Sequence, residues 1–524
     1  MKKILEIALF TSLMFFYSIS NGKDYMITDF GAVNDGVTLN SKAIQAAIDQ
    51  ANLEGGGKVI IPNGIFLSGT LTLKSNVELS LEKGAVLLGS TDIKDYYTIE
   101  GNNALIIAHN QHDITISGEG RIDGQGQELA LGIDSLHHSG IKIDKGYNYR
   151  RMRPGGRPHL IKFNGCKNAK ILGIKAMNAA SWVLRFDKCE PLEIDRVHVD
   201  SDVFWNNDGI DIEDCKNVRI TNSYINSADD GICLKSNDPN SYCDQVYISN
   251  NTIRSSASAI KFGTRSNGGF KNVTIEDITI YDTFRSALAF EAVDGGTIEN
   301  ITANNIFASN TGNAIFIKLG QRNVDGEISE IRNISIKNLY VHIPFETPDL
   351  NYSFRGPELP FFHNPFPASI TGLPEQDVEN VSLENINISY PGRANKGYSH
   401  MDLWRLDDIP ENAAEYPEFH MFGELPAWGF YVRHVNGLSM KDVRLSVRND
   451  DFRPSYVFDD VKNLKLEGGS ITSLSDHHQV IIKDTDKTKI HNVKVDGKEL
   501  KVIPSYGDNT EVLGVELLKK EGID

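Results

Sequence analysis

The 524-residue sequence has few cysteines, a deficit of positive charge and only one long apolar run, at its N-terminus. None of the five cysteines is spaced as Cys-x-x-Cys, which argues against a zinc site. His137, His138 and His159 also lack metal-ligand spacing, so we expect neither metal nor cofactor. The formal net charge of −17 argues against nucleic-acid binding, which needs a basic stripe. No later run is long enough to cross a membrane, so we expect no membrane insertion.

The N-terminal segment 1–22 has the pattern of a secretory signal peptide. Lys2 and Lys3 precede an apolar stretch, and Ser18-Ile19-Ser20 supplies a small-x-small cleavage pattern. No cysteine follows that would accept a lipid anchor. The sequence predicts an exported protein, periplasmic or extracellular, that is a monomer. A buried N-terminal helix is the alternative interpretation.

The positions of three of the five cysteines follow a repeat in the sequence. Cys166, Cys189 and Cys215 recur at one position of that repeat, and we interpret them as a buried stack of small apolar side chains. An odd number of cysteines in an exported chain leaves at least one thiol unpaired. Cys233 and Cys243 are the pair that could form a disulfide.

A degenerate repeat with asparagine followed by alternating apolar residues runs through most of the chain. Its period indicates a solenoid, and the alternation of short β-branched runs is typical of strands. Asparagine tolerates the left-handed backbone conformation that tight corners need. The sequence therefore predicts an all-β, single-stranded parallel β-helix as one catalytic domain over residues 23–524. A β-propeller or sandwich would instead show hairpin turns. The repeats begin at Asn217, Asn272, Asn300, Asn333, Asn380 and Asn463.

Two kinds of element depart from the repeat. Residues 41–52 have the pattern of a short amphipathic helix, with Asn40 or Ser41 as N-cap, that covers the N-terminal end of the stack. Three long insertions interrupt the coils, and long loops on a rigid scaffold commonly build binding walls. We expect these insertions at residues 127–158, 343–375 and 391–430.

Aspartates are concentrated in two consecutive repeats. Residues 206–211 read Asn-Asn-Asp-Gly-Ile-Asp, and residues 228–231 read Ala-Asp-Asp-Gly. Strands of neighbouring coils lie about 4.8 Å apart, so Asp208 and the 229–230 pair should face one another. Crowding raises the pKa of one carboxyl group, and sugar hydrolysis needs one protonated and one ionised group. Aspartates also cap β-helix corners, the role we expect for Asp211 and Asp214.

These motifs, together with Thr-Asp-Phe-Gly-Ala at 28–32, resemble glycoside hydrolase family 28, the polygalacturonase family. The resemblance implies a right-handed β-helix and hydrolysis with inversion. It also implies that Asp229 is the general acid and that Asp208 and Asp230 position the attacking water. Inversion depends on the resemblance alone, since stacked coils give a carboxyl separation nearer that of retaining enzymes.

The chain departs from the family pattern where substrate is held. The family usually carries Gly-His-Gly one coil after the acid pair, where residues 256–258 read Ser-Ala-Ser. It also carries Arg-x-Lys, which holds the galacturonate carboxylate, where residues 289–291 read Ala-Phe-Glu. Glu291 would repel a uronate unless it points elsewhere or pairs with a cation.

Other cations are candidates for the missing contacts. We expect substrate contacts from Lys261 and Arg265 beside the altered coil and from Lys318 one coil beyond. The arginine-rich loop that contains Arg153 is placed to close over the groove, and Trp205 is placed to stack on a sugar. Each cation taken singly is equally compatible with a solvated surface position, and Trp205 with a packing role.

The sequence therefore predicts a secreted glycosidase that acts on a pectic, galacturonate-containing polysaccharide or oligosaccharide. The missing histidine, arginine and lysine motivate an alternative substrate: a rhamnose-containing, neutral or sulfated glycan. A polysaccharide lyase and a non-catalytic β-helix remain as further alternatives.

Overall fold

The computed structural model describes residues 23–149, 152–323, 325–349, 351–352, 366–394, 396, 403–509 and 511–520. The predicted signal peptide lies outside the described residues. Forty strands are described, and they stack coil upon coil into one sheet system. This arrangement confirms the predicted right-handed parallel β-helix.

The first coils are built from 17 strands. They are β1 (Lys23–Met26), β2 (Asp35–Leu39), β3 (Gly57–Ile61), β4 (Gly64–Ser68), β5 (Leu71–Thr72), β6 (Val77–Leu81), β7 (Ala85–Gly89), β8 (Thr98–Ile99), β9 (Asn102–His109), β10 (His112–Gly118), β11 (Arg121–Asp123), β12 (His159–Asn164), β13 (Lys167–Leu172), β14 (Lys175–Met177), β15 (Leu184–Asp187), β16 (Leu192–Asp195) and β17 (His198–Ser201).

The central coils carry longer strands. They are β18 (Ile210–Glu213), β19 (Lys216–Thr221), β20 (Tyr224–Ser227), β21 (Ile232–Ser236), β22 (Cys243–Ser255), β23 (Ile260–Ser266), β24 (Gly269–Ala292), β25 (Thr297–Leu319), β26 (Glu330–His342), β27 (Ala368–Thr371) and β28 (Val378–Tyr390).

The last coils close the stack. They are β29 (Phe430–Lys441), β30 (Arg444–Val447), β31 (Tyr456–Lys462), β32 (Lys465–Glu467), β33 (Ser470–Thr472), β34 (Val480–Lys483), β35 (Thr488–His491), β36 (Lys494–Val495), β37 (Lys498–Glu499), β38 (Val502–Tyr506), β39 (Val512–Leu513) and β40 (Glu516–Lys519).

The corners of the coils depend on asparagine. All six asparagines that begin the predicted repeats have a positive φ, between 53° and 60°. Several of them also donate a side-chain amide hydrogen bond to the equivalent residue of the preceding coil, as Asn300 does to Asn272 at 3.1 Å. Strand pairs are parallel throughout the described ranges apart from β8 with β9 and β36 with β37. The repeat therefore fixes both the corner conformation and the register of the coils.

The inward positions form one continuous core along the axis of the coils. The predicted cysteine stack lies in it, and Cys166, Cys189 and Cys215 are fully buried. The predicted Cys233–Cys243 disulfide is wrong, because both thiols are free. Cys243 belongs to the core, whereas the Cys233 sulfur lies 3.0 Å from the ammonium group of Lys235 on the outer face. The two side chains therefore lie on opposite sides of the sheet wall.

Among the described residues, two α-helices lie outside the strand repeat. Helix α1 (Ser41–Leu53) matches the predicted helix and buries Ile44 and Ile48 against the first coils. Its N-cap residue, Asn40, makes no capping bond; its side chain accepts from Val33 N at 2.7 Å instead. Helix α2 (Gly126–His138) was not predicted, since residues 127–158 were expected to be loop only. Its apolar positions pack against the outer side of neighbouring coils.

The later insertions are described in part. Short 3-10 turns occur at Ile27–Phe30, Ile93–Asp95 and Leu403–Asp408. The described segment 406–430 packs on the outward face of the sheet, where Phe419 contacts Phe316 and Ala289. We name residues 409–422 of this segment the covering segment. In the described part of the chain, no helix has the length and apolar character needed to span a membrane.

Candidate active site

The three predicted catalytic aspartates meet at the start of two paired strands. Asp208 precedes β18, and Asp229 and Asp230 precede β21. Carboxylate oxygens of the three residues all lie within 4.8 Å of one another. Gly209 allows this approach, because a Cβ at that position would lie 2.5 Å from the carbonyl oxygen of Gly231. Close packing of the coils, set by glycine, therefore brings the carboxyl groups together.

The environment separates the pKa values of the three carboxyl groups. Burial and the neighbouring Asp211 hold the pKa of Asp208 well above its usual range. Burial and the adjacent Asp230 also raise the pKa of Asp229. Burial opposes ionisation of Asp230, but its pKa is lowered, because the positive charges of Lys261, Lys235 and Arg285 together outweigh that effect. The site thus contains two carboxyl groups disposed to hold a proton, Asp208 and Asp229, beside one disposed to be ionised, Asp230.

A buried lysine balances the charge of the site floor. The Lys235 ammonium lies 2.8 Å from Asp211 Oδ1 and 3.4 Å from Asp208 Oδ2. Asp211 is therefore part of the site floor and not the cap that the sequence suggested. Asp214 does cap backbone groups, since it accepts from the N–H groups of Asn237 and Asp238 at 3.1 Å. Lys235 was missed, although it follows Asp230 in the strand that leaves the acid pair.

A second buried lysine explains how Glu291 is accommodated. The Lys261 ammonium lies 3.4 Å from Asp230 Oδ2 and 3.8 Å from Glu291 Oε2. It also donates to the hydroxyl of Tyr416 at 3.3 Å. Burial raises the pKa of Glu291 to about 8, which favours its neutral form. Lys261 and Glu291, which the sequence predicted as substrate contacts, lie beside the aspartates, where each is about 1% exposed and covered.

Two arginines of the loop after α2 orient an asparagine of the aspartate motif. Asn206 Oδ1 accepts from Arg153 Nη1 at 2.6 Å and from Arg157 Nη2 at 3.1 Å. The amide nitrogen of Asn206 donates in turn to Asp229 Oδ2 at 3.5 Å. Trp205 is half-buried, and its carbonyl oxygen accepts from Arg157. Arg153 therefore reaches the site, and its observed contact is with Asn206.

The remaining predicted cations lie farther along the coils. Lys318 pairs in register with Glu291, one coil later, and is buried where it donates to the carbonyl oxygen of Glu411 at 2.9 Å. Burial lowers the pKa of Lys318 to about 8. Arg265 is exposed at the end of β23. The structure thus brings Lys261 and Glu291 to the aspartates and leaves Lys318 and Arg265 outside their immediate contacts.

The covering segment forms one wall of the site. Its Glu418 accepts from the buried Arg285 at 2.6 Å, and Arg285 lies close enough to Asp229 to affect its pKa. Tyr416 stands over Lys261, with the ammonium 5.2 Å from the ring centroid. These contacts join residues more than 130 positions apart. Sequence spacing therefore gave no signal for them.

The aspartates also satisfy the distance criterion for a metal site. In the described part of the chain, no other group of three carboxylate, histidine or thiol ligands is close enough to share an ion. The ammonium groups of Lys235 and Lys261 each lie 3.4 Å from one of these carboxylates and already supply compensating positive charge. The geometry therefore suits proton transfer better than cation binding.

Comparisons with known proteins identify the family of this chain. Residues 54–343, more than half of the chain, match the model of glycosyl hydrolases family 28. A probable polygalacturonase of Vitis vinifera is 29% identical over 56% of this chain and 56% of its own length. An exo-poly-alpha-D-galacturonosidase of Dickeya chrysanthemi is 23% identical over 85% of this chain and 74% of its own length.

Solved structures show the same fold. An exopolygalacturonase of Thermotoga maritima has a TM-score of 0.56 at 22% identity, covering 70% of this chain and 87% of its own. A family 28 exopolygalacturonase of Yersinia enterocolitica has a TM-score of 0.55 at 19% identity, covering 93% of this chain and 78% of its own. The family match and the aspartate geometry lead to one conclusion: the chain belongs to glycosyl hydrolases family 28.

Proposed function

We propose that the protein is a secreted glycosidase that hydrolyses galacturonate-containing, pectic polysaccharide or oligosaccharide. The observation that carries the proposal is the pair of adjacent carboxyl groups whose pKa values are displaced in opposite directions, that of Asp229 upwards and that of Asp230 downwards. Family membership and the names of the relatives support the substrate class.

The proposed reaction divides proton transfer among the three aspartates. Asp229 donates its proton to the glycosidic oxygen as the bond to the sugar carbon breaks. Asp230, ionised beside Lys261, accepts a proton from the attacking water, and Asp208 orients that water. The water oxygen forms the new bond to carbon, so both products leave with complete valences. Asp230 then releases the proton it accepted to solvent, and Asp229 recovers one from solvent.

The proposed stereochemical course is inversion, and its support is family membership. The measured oxygen separations, within 4.8 Å, are shorter than the roughly 6.5–9.5 Å typical of inverting enzymes. Proton NMR of the first product formed separates the outcomes, since inversion gives the opposite anomer and retention gives the same one.

We also propose that products are released from chain ends. The covering segment packs over the coils that follow the aspartates, and Tyr416, Glu418 and Glu411 contact buried cations beneath it. A wall at that position limits how far a polymer can extend past the scissile bond. Digestion of polygalacturonate should therefore yield short products from the first time points, without an early fall in viscosity.

A second substrate class is favoured by a specific observation. Ala289 and Glu291 stand where the family usually places its uronate-binding cations, and Glu291 is already engaged by Lys261. A neutral or rhamnose-containing glycan would not need those cations, and a sulfated glycan carries its acidic group at a different position of the sugar.

Reducing-end release from polygalacturonate, rhamnogalacturonan and a neutral galactan tests the two classes. Preference for polygalacturonate supports the first proposal, and preference for either other polymer supports the second. Products with an unsaturated, ultraviolet-absorbing ring would instead show a lyase. Absence of cleavage across all three substrates and their sulfated forms would contradict glycosidase activity.

A further inference from the structure

A cationic pair lies on the outer face of the coils that precede the catalytic aspartates. Lys162 on β12 and Arg185 on β15 are directly paired in register, and Arg185 is paired in turn with Asp211 on β18. These three side chains therefore form one row across consecutive coils, spaced about 4.8 Å apart. The row leads straight into the floor of the aspartate site.

Lys162 is a buried cation without a counter-ion. Its residue is 7% exposed, and it has no hydrogen bond or ion pair with any residue that the structure describes. Burial and the neighbouring Arg185 lower the pKa of Lys162 to about 8, while the negative charges of Glu213 and Asp187 oppose that shift. The Lys162 ammonium itself keeps contact with solvent, so an anion that reaches it there would be stabilised in a largely desolvated position.

The guanidinium of Arg185 makes two hydrogen bonds and keeps a further N–H group without a described partner. Its guanidinium donates to Glu213 Oε2 at 2.8 Å and to His159 Nε2 at 3.0 Å. Because His159 accepts through Nε2 and burial holds its pKa well below the usual range, its proton resides on Nδ1. That Nδ1 and the Nε of Arg185 lack partners among the described atoms. Glu213 Oε1 lacks a partner as well, so two donors and one acceptor of this group are unused among the described atoms.

The cationic pair is close to the reacting groups. The Trp182 ring lies between Arg185 and Lys235, with centroid distances of 4.6 Å to the guanidinium carbon and 4.7 Å to the ammonium. Lys235 contacts Asp208 directly. Arg185 and Lys162 thus stand one and two coils, about 5 and 10 Å, before the coil of Asp208 and Asp211, and one coil further from Asp229 and Asp230. Sugar units of a bound chain that extends along the coils would pass this row.

We infer that Lys162 and Arg185 form an anion-binding subsite that holds the acidic group, carboxylate or sulfate, of a sugar unit next to the bond being cleaved. This inference rests on the proposed function and deepens it. Glu213 satisfies one edge of Arg185, and Asp187 accepts from Asn164 at 2.9 Å, so neither neutralises Lys162 at contact distance. The subsite lies on the opposite side of the aspartates from the coil where the family usually holds the uronate.

Substitution of Lys162 by methionine tests the subsite. We predict that K162M raises KM for an oligogalacturonide about 10–100-fold with kcat little changed, since the substrate loses a charge-assisted contact that it makes equally in the bound and transition states. KM for the carboxyl-reduced oligosaccharide of the same linkage should stay the same. The exposed lysine of β14 gives a matched control, and K175M should match wild type on both substrates.

Thermal unfolding separates a binding role from a structural one. Because K162M removes an unpaired buried charge, its Tm should equal or exceed that of wild type. A lower Tm with equal losses on acidic and neutral substrates would overturn the subsite.

Equilibrium binding keeps the inference separate from the proposed reaction. Oligogalacturonide and a sulfated disaccharide are titrated calorimetrically into wild type and K162M, which also distinguishes carboxylate from sulfate. Weaker binding of either anion to K162M supports the subsite even if wild type cleaves neither compound. Equal binding to both proteins, or binding to neither, overturns it.

Discussion

At the scale of single residues, the site is governed by two buried lysines that balance its carboxylates. The ammonium group of Lys235 pairs with Asp208 and Asp211, and that of Lys261 pairs with Asp230 and Glu291. Buried ion pairs add little net stability when complete, but removal of one partner leaves an uncompensated charge. The lysines therefore allow this cluster of acids to exist in a folded protein.

Substitution of Lys235 should strongly destabilise the folded protein. We predict that K235M lowers the free energy of unfolding by about 3–5 kcal/mol at neutral pH, since two buried carboxylates lose their counter-charge. Urea denaturation followed by circular dichroism measures the change. The exposed lysine at the start of β13 is the control, and K167M should stay within about 0.5 kcal/mol of wild type. Equal stability of K235M and wild type would contradict the role of Lys235 in balancing the charge of the carboxylates.

Glu291 should make stability depend on pH. Its pKa rises to about 8 in the folded protein, so the folded state binds a proton that the unfolded state releases at lower pH. The contribution of Glu291 to stability is therefore fully present below about pH 4.5 and is lost as pH rises through about 8. Asp211, with a pKa of about 7, adds a trend of the same sign.

The variant Glu291→Gln isolates that contribution. We predict that the Tm of E291Q relative to wild type increases from about pH 5 to about pH 8, because glutamine carries no titrating proton. Differential scanning calorimetry at the two pH values measures the difference. A constant Tm offset between the proteins would show that Glu291 does not titrate in this range.

At the scale of elements, the covering segment is held to the sheet by side chains from distant coils. The ion pair between Arg285 and Glu418 links it to β24, and an apolar contact between Phe419 and Phe316 links it to β25. These contacts position the wall to which we assign end-specific cleavage.

Breaking the ion pair should change the product pattern. We predict that Glu418→Ala frees the covering segment and shifts early products of polygalacturonate digestion from short to longer oligosaccharides. Size-resolved chromatography at less than about a tenth of full conversion measures the length distribution of these early products. Glu415→Ala, in the same segment and exposed, is the control. An unchanged product distribution in E418A would argue against the wall.

At the scale of the whole molecule, the fold could be predicted because the sequence repeat specifies the geometry of each coil. Asparagine at each corner and alternating apolar residues specify parallel coils, and Asp208 with Asp229 and Asp230 could be placed from register alone. Register alone could not predict the site contacts of Lys235, the Lys162–Arg185 pair or Tyr416. Their contacts depend on coil lengths, on the face to which each side chain points and on insertions far away in sequence.

The redox state of the cysteines is a property of the whole chain. All five thiols are free and buried, so we predict that a reductant leaves Tm unchanged. A thiol reagent should titrate five groups after denaturation without reduction and react slowly before it. Three titratable thiols in the denatured, unreduced protein would reveal the disulfide that the structure lacks.

The central claim is that Asp229 supplies the proton for glycosidic cleavage. Reducing-end release from polygalacturonate by wild type and Asp229→Asn tests it most directly, with circular dichroism to confirm that both are folded. Loss of a general acid typically costs about 10²–10⁴ in rate, and we predict a loss in that range for D229N. Cleavage by D229N at the wild-type rate would contradict the account.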